Sequence, residues 1–324
     1  MNATPPVVIA HRGASAYLPE HSQAAKVLAH ALGADFIEQD VILTQDDIPI
    51  VFHDLELNAL TDVALRFPDR ARPDGSWYAI DFTLAELRTL SIRERIDPAS
   101  GRRTYPGRYA GTGVPFPIVT LDEELALVRA LNRVRGRDAG VYTEVKSPAW
   151  HRAQGKDPSP IVIETLARHG YAGRGDNAYL QCFDDVELRR IRQSLGCDLK
   201  LVQLIGENAW AEAATDYDRL RTAEGLAAIA GYADGIGPPM TRIVGFDGAG
   251  EPVLVSSLCA DAQGHGLAVH PFTFRADALP PGARDSDAVH EGLFGLARVD
   301  GLFTDFCDLT RAFIDHRHPR SSRA

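Results

Sequence analysis

Short apolar runs alternate with amphipathic segments along most of this chain. Runs rich in β-branched residues predict nine strands, at residues 7–10, 36–41, 49–53, 141–145, 178–183, 200–205, 234–237, 267–274 and 302–305. Helical patterns cover residues 22–31, 185–195, 221–232, 287–297 and 309–316, and a further one begins at Thr120. Repeated strand and helix units predict an α/β fold, a closed (β/α)8 TIM barrel with helices outside a parallel sheet. Because nine strands exceed the barrel's need by one, we expect at least one run to lie outside it or to be misassigned.

One stretch interrupts this order of strands and helices. Residues 55–118 are rich in Pro, Gly, Asp and Arg and hold only a brief helical pattern at residues 84–90. The stretch is too long for an ordinary connection. We therefore predict a catalytic barrel from residues 1–54 and 119–324, and an inserted cap from residues 55–118. Since the cap follows the strand that ends at His53, we expect it over the C-terminal face of the barrel, where barrel enzymes hold their sites.

Composition and charge narrow the range of partners. The chain has 324 residues, 45% of them hydrophobic, and a formal net charge of -10. An acidic surface disfavours nucleic acid and anionic membranes, so an anionic small-molecule substrate has to be captured by local positive charge. No apolar stretch approaches the roughly 18 residues that a membrane-spanning helix needs, and the four cysteines lack metal-site spacing and are expected to be free thiols. The sequence as written carries no signal peptide, which predicts a cytoplasmic protein, or a periplasmic one if a leader has been trimmed.

Three carboxylates fall at the ends of predicted strands. Glu38 and Asp40 are two positions apart in one strand, so their side chains should point to the same face. Glu144 and Lys146 repeat that spacing at the end of another strand. Each pair alone is more often a solvated carboxylate or a surface ion pair. Together, Glu38, Asp40 and Glu144 form an all-oxygen set of the kind that hard cations such as Ca²⁺ or Mg²⁺ prefer, and one divalent cation is predicted there.

Two histidines end two other predicted strands. His11 is followed by Arg12, and His53 is followed by Asp54. A single histidine in such a place is more often a packing residue, but imidazole is suited to proton transfer near neutral pH. Hydrolysis of a phosphodiester needs a base, an acid and positive charge on the phosphoryl oxygens. A hard cation, Arg12, Lys146 and the two histidines would together supply these.

Ordered motifs along nearly the whole chain carry a resemblance to a known family. They are HRGASAYLPEH at residues 11–21, IEQDV at 37–41, VFHD at 51–54, EVK at 144–146, YLQCFD at 179–184, YADGIGP at 232–238 and GLFTD at 301–305. With them the chain resembles the glycerophosphodiester phosphodiesterases. Residues 61–64 (TDVA) and 67–72 (FPDRAR) within the insertion make it most similar to the long, periplasmic-type bacterial branch.

The resemblance implies a barrel of the phospholipase C-like type with an inserted cap, and metal-dependent hydrolysis of glycerophosphodiesters to an alcohol and sn-glycerol 3-phosphate. Glycerophosphocholine and glycerophosphoethanolamine are the expected substrates. The roles that it implies are metal ligation by Glu38, Asp40 and Glu144, acid–base catalysis by His11 and His53, and phosphate binding by Arg12, Lys146 and Glu20, with Glu20 lying near the metal. A cyclic phosphate intermediate and direct attack by water both stay open at this point.

Several other residues are interpreted as structural and are given no catalytic role. His21 stands where many relatives have Asn and is given no catalytic role, and Cys182 stands where Ser is common. His265 and His270 are interpreted as surface or packing histidines. The aromatic residues near predicted strands are interpreted as core rather than pocket; they are Phe272, Phe274 and Trp210.

Two alternative functions remain on the same fold. The first is a phospholipase that acts on intact lipid headgroups, but the acidic charge counts against it because an interfacial enzyme needs an apolar or basic docking surface. The second is a binding protein without turnover, since a fold alone does not establish activity. The presence of both histidines and all three carboxylates counts against the second alternative.

Overall fold

Eight parallel strands form the central barrel in the computed structural model of the chain, which describes residues 5–111 and 113–318. The strands of the chain are β1 Val7–Ala10, β2 Phe36–Leu43, β3 Pro49–Val51, β4 Gly140–Val145, β5 Ala178–Cys182, β6 Lys200–Leu204, β7 Gly235–Gly237, β8 Val244–Phe246, β9 Pro252–Leu254, β10 Ala268–Val269 and β11 Gly301–Thr304. The barrel strands are neighbours in the order β10, β7, β6, β5, β4, β2, β1, β11. A parallel bridge between Phe274 and Thr304 then brings the segment after β10 beside β11. The predicted TIM barrel is confirmed.

The supernumerary predicted strand lies outside the barrel, as expected. β3 pairs antiparallel with the end of β2, with Val51 opposite Val41 and Pro49 opposite Leu43. The prediction that this strand continues to His53 was wrong by two residues. Beyond Val51, the amide of Phe52 still donates to the carbonyl of Asp40 on β2, while the amide of Val51 donates to the carbonyl of Val119.

Two further strand predictions need correction. The predicted strand at residues 267–274 shortens to β10, because Pro271 has no amide proton to donate to a ladder. The antiparallel hairpin of β8 and β9 was not predicted. Neither change affects the ring of strands that carries the predicted site.

The helices surround the barrel or lie in its connections. They are α1 Gln23–Ala31, α2 Val63–Arg66, α3 Leu84–Leu87, α4 Leu121–Arg135, α5 Pro148–Ala153, α6 Pro158–Arg168, α7 Asp185–Gln193, α8 Tyr217–Leu220, α9 Ala223–Ala230, α10 Leu258–Gly264, α11 Ser286–His290 and α12 Cys307–Arg317. As predicted, the Ser22 side chain caps α1, and Thr120 and Glu123 form a capping box on α4. The helices that the sequence patterns missed are α2, α5, α6, α8 and α10. Throughout the described ranges, each helix is too short or too polar to cross a lipid bilayer.

The hydrophobic residues form one large core and a smaller one. The large core lies between the barrel strands and the surrounding helices and includes all four cysteines, which are free and buried, as predicted. The smaller core lies under residues 55–118 and continues onto β2 and β3 through Ile42 and Ile50. The segment 55–118, called the insertion below, therefore packs against the strands that carry the predicted site. The domain boundaries at residues 54 and 118 stay a prediction.

A histidine remote from the barrel mouth should make stability depend on pH. His290 is 1% exposed, packs on Phe274 and Phe313 at ring-centroid distances of 4.2 and 5.0 Å, and contacts the Thr310 hydroxyl at 3.1 Å. Burial lowers the pKa of His290 from 6.5 to about 4. Between those values the unfolded chain binds a proton that the folded chain does not. The free energy of unfolding should therefore fall as pH falls from 6.5 to about 4, and level off below.

The His290→Phe variant tests this pH dependence. From pH 6.5 to pH 5 the wild type should lose about 2 kcal/mol more of its unfolding free energy than the variant does. Urea unfolding at several pH values, with the offset between the two proteins fixed at pH 8, measures the difference. Parallel curves for the two proteins would show that His290 does not titrate differently in the folded and unfolded states.

Candidate active site

A cavity of about 420 Å³ opens at the C-terminal ends of the barrel strands. His11 directly follows β1, Glu38 and Asp40 lie on β2, and His53 follows β3. The sequence-predicted residues that line this cavity are His11, Arg12, Glu38, Asp40, His53, Glu144 and Lys146. Glu20, the remaining predicted site residue, reaches the site through its ion pair with Arg12.

Strand geometry brings the three predicted carboxylates together. Glu38 and Asp40 are two positions apart on β2 and both are 1% exposed. Asp40 is the register partner of Glu144 on the adjacent strand β4. Residues in register on neighbouring strands point to the same face. The three acidic side chains therefore share one buried space at the end of the barrel.

His21 lies beside two of these carboxylates, Glu38 and Asp40, although the sequence interpretation gave it no role at the site. Its Nε2 lies 2.8 Å from Oδ2 of Asp40, and the ring is 1% exposed. One ligand atom from each of His21, Glu38 and Asp40 lies within 4.8 Å of the others, so the three could hold a metal ion. Glu144 instead pairs with Lys146, at 2.8 Å between Oε1 and Nζ. It faces the same cavity.

The crowding of acidic groups changes their protonation. Burial, and then the neighbouring Asp40, raise the pKa of Glu38 well above its ordinary value. Burial and Asp40 likewise raise the pKa of Glu144 to about 8, although Lys146 acts in the other direction. Burial alone would raise the pKa of Asp40, but His53, His21 and Lys146 hold it well below its ordinary value. A positive charge bound among them would favour the ionised form of both glutamates.

Each predicted catalytic histidine is bonded to an aspartate. Nδ1 of His11 lies 2.7 Å from Oδ1 of Asp305, and Nδ1 of His53 lies 2.5 Å from Oδ1 of Asp54. An ionised carboxylate can only accept, so these contacts place the proton of each neutral ring on Nδ1. The Nζ of Lys146 lies 3.3 Å from Nε2 of His53, which agrees with a lone pair on that nitrogen. Nε2 is thus the nitrogen left for proton exchange with a substrate.

Both rings are neutral at pH 7 in this state. Burial, followed by the charge of Arg12, lowers the pKa of His11 to about 4 despite the opposing effect of Asp305. Burial, Arg12 and Lys146 lower the pKa of His53 to about 4. A bound phosphodiester would add negative charge beside both rings and shift these pKa values upward.

Arg12 is held from several sides. Its amide donates to Oε2 of Glu38 at 2.6 Å, and its Nη1 donates to Oε1 of Glu20 at 2.7 Å. The next residue, Gly13, has φ 89°, and a Cβ there would lie 2.9 Å from the backbone carbon of Ala25. A tight turn that only glycine fits thus follows directly after His11 and Arg12. Glu20 positions Arg12 in this arrangement.

Part of the cavity lining is aromatic and apolar. Phe183 and Phe272 contact each other edge to face at 5.9 Å, and Trp210 lies 6.4 Å from Phe272. The interpretation of Phe272 and Trp210 as core was wrong, because both line the cavity. Phe274 is buried in the core, and His270 is buried with its Nδ1 3.0 Å from the Tyr142 hydroxyl, as interpreted.

Further groups of the site had weaker signals in the sequence. Asp54 directly follows His53, and Asp305 ends the predicted strand at residues 302–305, so their position could have indicated a role. Arg275 donates from Nε to Oδ2 of Asp305 at 2.9 Å and also lines the cavity. Arg95 and Arg108 come from the insertion, where no periodic pattern marks a site.

Comparison with known proteins agrees with these features. The model of the glycerophosphoryl diester phosphodiesterase family matches residues 11–309. The chain belongs to this family. Its relatives include glycerophosphodiester phosphodiesterases of Haemophilus influenzae, 37% identical over 95% of this chain and 89% of the relative, and of Treponema pallidum, 34% identical over 95% and 91%. The family confirms the prediction that the chain is an enzyme, a phosphodiesterase.

Solved structures share the fold. A crystal structure of a Silicibacter pomeroyi protein matches 97% of this chain and 95% of its own, with a TM-score of 0.72 and 21% identity. A phosphodiesterase of Oleispira antarctica, solved in complex with the product sn-glycerol-3-phosphate, matches 96% of this chain and 97% of its own, with a TM-score of 0.63 and 18% identity. At these identities the structures support the barrel fold.

Proposed function

We propose that this chain catalyses the metal-dependent hydrolysis of glycerophosphodiesters to an alcohol and sn-glycerol 3-phosphate. The observation that carries the proposal is one cavity lined by the three predicted carboxylates and by two histidines that each bond an aspartate. The names of the Haemophilus influenzae and Treponema pallidum relatives, and the product bound to the Oleispira antarctica enzyme, support the same substrate class.

The acidic cluster would hold one divalent cation. Glu38 and Asp40 would be ligands, with Glu144 and His21 beside them to complete the set. The raised pKa values of Glu38 and Glu144 fit this assignment, because buried carboxyls that resist ionisation are stabilised as carboxylates by a cation. Carboxylate oxygens favour Ca²⁺ or Mg²⁺. A cation bound here would act as a Lewis acid that neutralises charge on the phosphoryl oxygens.

His11 and His53 would carry out the proton transfers. Each ring offers Nε2, because Nδ1 is bonded to Asp305 or Asp54. A neutral ring can remove the proton of the attacking hydroxyl, whether that hydroxyl belongs to water or to the glycerol group of the substrate. The other ring, protonated in the presence of the anionic substrate, can donate to the departing alcohol.

Positive side chains would bind the phosphate. Arg12 and Lys146 line the cavity beside the carboxylates, and Lys146 also contacts Nε2 of His53. Glu20 would act indirectly, by fixing Arg12. The apolar wall of Phe183, Trp210 and Phe272 would accept the alcohol, and aromatic rings suit the ammonium groups of choline or ethanolamine.

Product release tests this proposal. Purified protein incubated with glycerophosphocholine and Ca²⁺ or Mg²⁺ should release sn-glycerol 3-phosphate, measured with a coupled dehydrogenase assay, and a chelator should stop the release. Activity on micellar phospholipid that exceeds activity on glycerophosphocholine would favour the phospholipase alternative. Absence of release with choline, ethanolamine and glycerol headgroups, in each of several divalent cations, would overturn the proposal.

A further inference from the structure

An arginine of the insertion bridges two carboxylates beside His53. Arg95 donates from Nη1 to Oδ2 of Asp54 at 2.7 Å and from Nη2 to Oδ1 of Asp54 at 3.1 Å. The same guanidinium donates from Nε and Nη2 to the two oxygens of Glu20, at 3.0 and 2.8 Å. Asp54 bonds His53, and Glu20 bonds Arg12. Arg95 thus contacts the partners of two cavity residues and contacts neither of the two directly.

A second arginine of the insertion bonds the aspartate partner of His11, as Arg95 bonds the aspartate partner of His53. Arg108 donates from Nη2 to Oδ2 of Asp305 at 2.8 Å, while Oδ1 of Asp305 contacts Nδ1 of His11. Arg108 is 8% exposed and is fixed in turn by two bonds to Asp277, at 2.8 and 3.0 Å. The barrel's own Arg275 also bonds Asp305. Each His and Asp pair is therefore completed by an arginine from the same 64-residue insertion, since residues 55–118 include both Arg95 and Arg108.

These contacts have a physical consequence for the imidazole rings. An aspartate that is fixed and kept ionised by a guanidinium holds the neighbouring ring in one orientation and in the tautomer with the proton on Nδ1. Without the arginine, the carboxylate can rotate, and the ring can turn or exchange tautomers. Groups that orient a reacting residue in this way commonly contribute about 10- to 100-fold to activity.

We propose that the insertion positions both catalytic histidines, with Arg95 acting on His53 through Asp54 and Arg108 acting on His11 through Asp305. Arg95 and Arg108 are positioning residues in this scheme. The scheme rests on the proposed function, in which His11 and His53 are the acid–base pair. The insertion is then part of the catalytic apparatus.

The Arg95→Met variant tests the effect on His53, which should be larger than the effect of Arg108 on His11. Asp305 keeps a bond from Arg275 when Arg108 is removed. We expect kcat with glycerophosphocholine to fall about 10- to 100-fold and KM to change less than about threefold. Arg95→Lys should recover part of the loss, since an ammonium can bond one carboxylate but cannot bridge both. A rise in KM with kcat unchanged would overturn the scheme.

The insertion supplies a matched control. Arg72 makes a similar two-bond pair with Asp81, at 2.7 and 2.8 Å, without contact to the histidine partners. Arg72→Met should keep kcat within about twofold of the wild type at temperatures where all variants remain folded. An equal loss of kcat in Arg72→Met and Arg95→Met would mean that the arginines act only through the stability of the insertion, and would overturn the scheme.

A double-mutant cycle tests whether Arg95 acts through Asp54. Asp54→Asn should itself lower kcat, and addition of Arg95→Met should lower it little further, because the carboxylate through which Arg95 acts on His53 is already lost. Losses that multiply in the double variant would show that Arg95 acts by another route and would overturn the scheme.

Nuclear magnetic resonance of ¹⁵N-histidine-labelled protein gives a readout that needs no substrate. The wild type should show a protonated Nδ1 on His53, assigned through the His53→Gln variant, and Arg95→Met should lose that signal or broaden it by exchange. An unchanged signal in Arg95→Met would overturn the scheme even if the enzyme is active. If the wild type hydrolyses no glycerophosphodiester, the proposed function fails, while the resonance still decides whether Arg95 positions His53.

Discussion

Replacement of His53 by alanine is expected to lower kcat with glycerophosphocholine by about 10²- to 10⁴-fold, the range that a positioned acid or base commonly contributes. The ring lies at the cavity with Nδ1 on Asp54 and Nε2 near Lys146. Neither His11 nor His21 can take its place, because His11 is fixed on Asp305 and His21 on Asp40. Cation binding should persist, since the acidic cluster is retained. Initial rates, together with calorimetric titration of the apoprotein with Ca²⁺, measure both effects.

The control for this prediction is His265→Ala, at the exposed end of α10. It removes an exposed imidazole that does not line the cavity, and it should keep kcat within about twofold of the wild type. A His53→Ala variant with wild-type rates would refute the acid–base role. A variant that loses cation binding together with turnover would indicate that His53 supports the cation site instead.

The barrel could be predicted because its strands are buried on both faces and leave continuous apolar runs in the sequence. The extra run at residues 49–53 has the same composition as a barrel strand, yet it folds back on β2. Apolar content indicates that a strand is buried but not whether it runs parallel or antiparallel to its neighbour. The sequence therefore could not distinguish an antiparallel strand from a ninth parallel strand. The missed hairpin of β8 and β9 is partly exposed, with Leu254 53% exposed, and its apolar signal is weak.

The site could be predicted as far as it lies at strand ends. Glu38 and Asp40 follow the two-residue period of one strand, which places them on one face, and the register of β2 with β4 places Glu144 beside Asp40. His21 lies in a loop with φ 61°, where no period indicates which way a side chain points. Its contact with Asp40 depends on the turn after His11, and the sequence shows that turn only as a glycine.

The contacts of the insertion's arginines could not be predicted either, because they join residues that are far apart in the sequence. Arg95 lies 75 positions from Glu20 and 41 from Asp54, and it reaches both only because the insertion packs against β2 and β3. The local sequence at residues 94–96 holds no motif for such a contact. Ion pairs between distant loops depend on tertiary packing. Local sequence patterns therefore predict the strands and helices but not the ion pairs between them.

The second large effect concerns Asp40, a buried carboxylate of the acidic cluster. It contacts His21 at 2.8 Å and Arg12 at 3.4 Å, and it is the register partner of Glu144. Asp40→Asn keeps the size of the side chain but removes its charge and one anionic oxygen. We expect kcat to fall by at least about 10²-fold, because both the cation and the fixed position of Arg12 depend on this group.

Thermodynamic linkage provides a test of Asp40 that does not depend on turnover. A cation at 100 times its dissociation constant should add about 2.7 kcal/mol to the unfolding free energy of the wild type. Asp40→Asn should gain less than half of that at the same concentration, while Asp198→Asn, a change at a side chain that is 68% exposed, should gain the full amount. Denaturant unfolding with and without Ca²⁺ measures the gain. The same measurement on Glu144→Gln and on His21→Asn then shows whether Glu144 or His21 completes the ligand set. Full stabilisation of Asp40→Asn by the cation would place the metal elsewhere, because a hard cation cannot lose a buried carboxylate ligand without losing affinity.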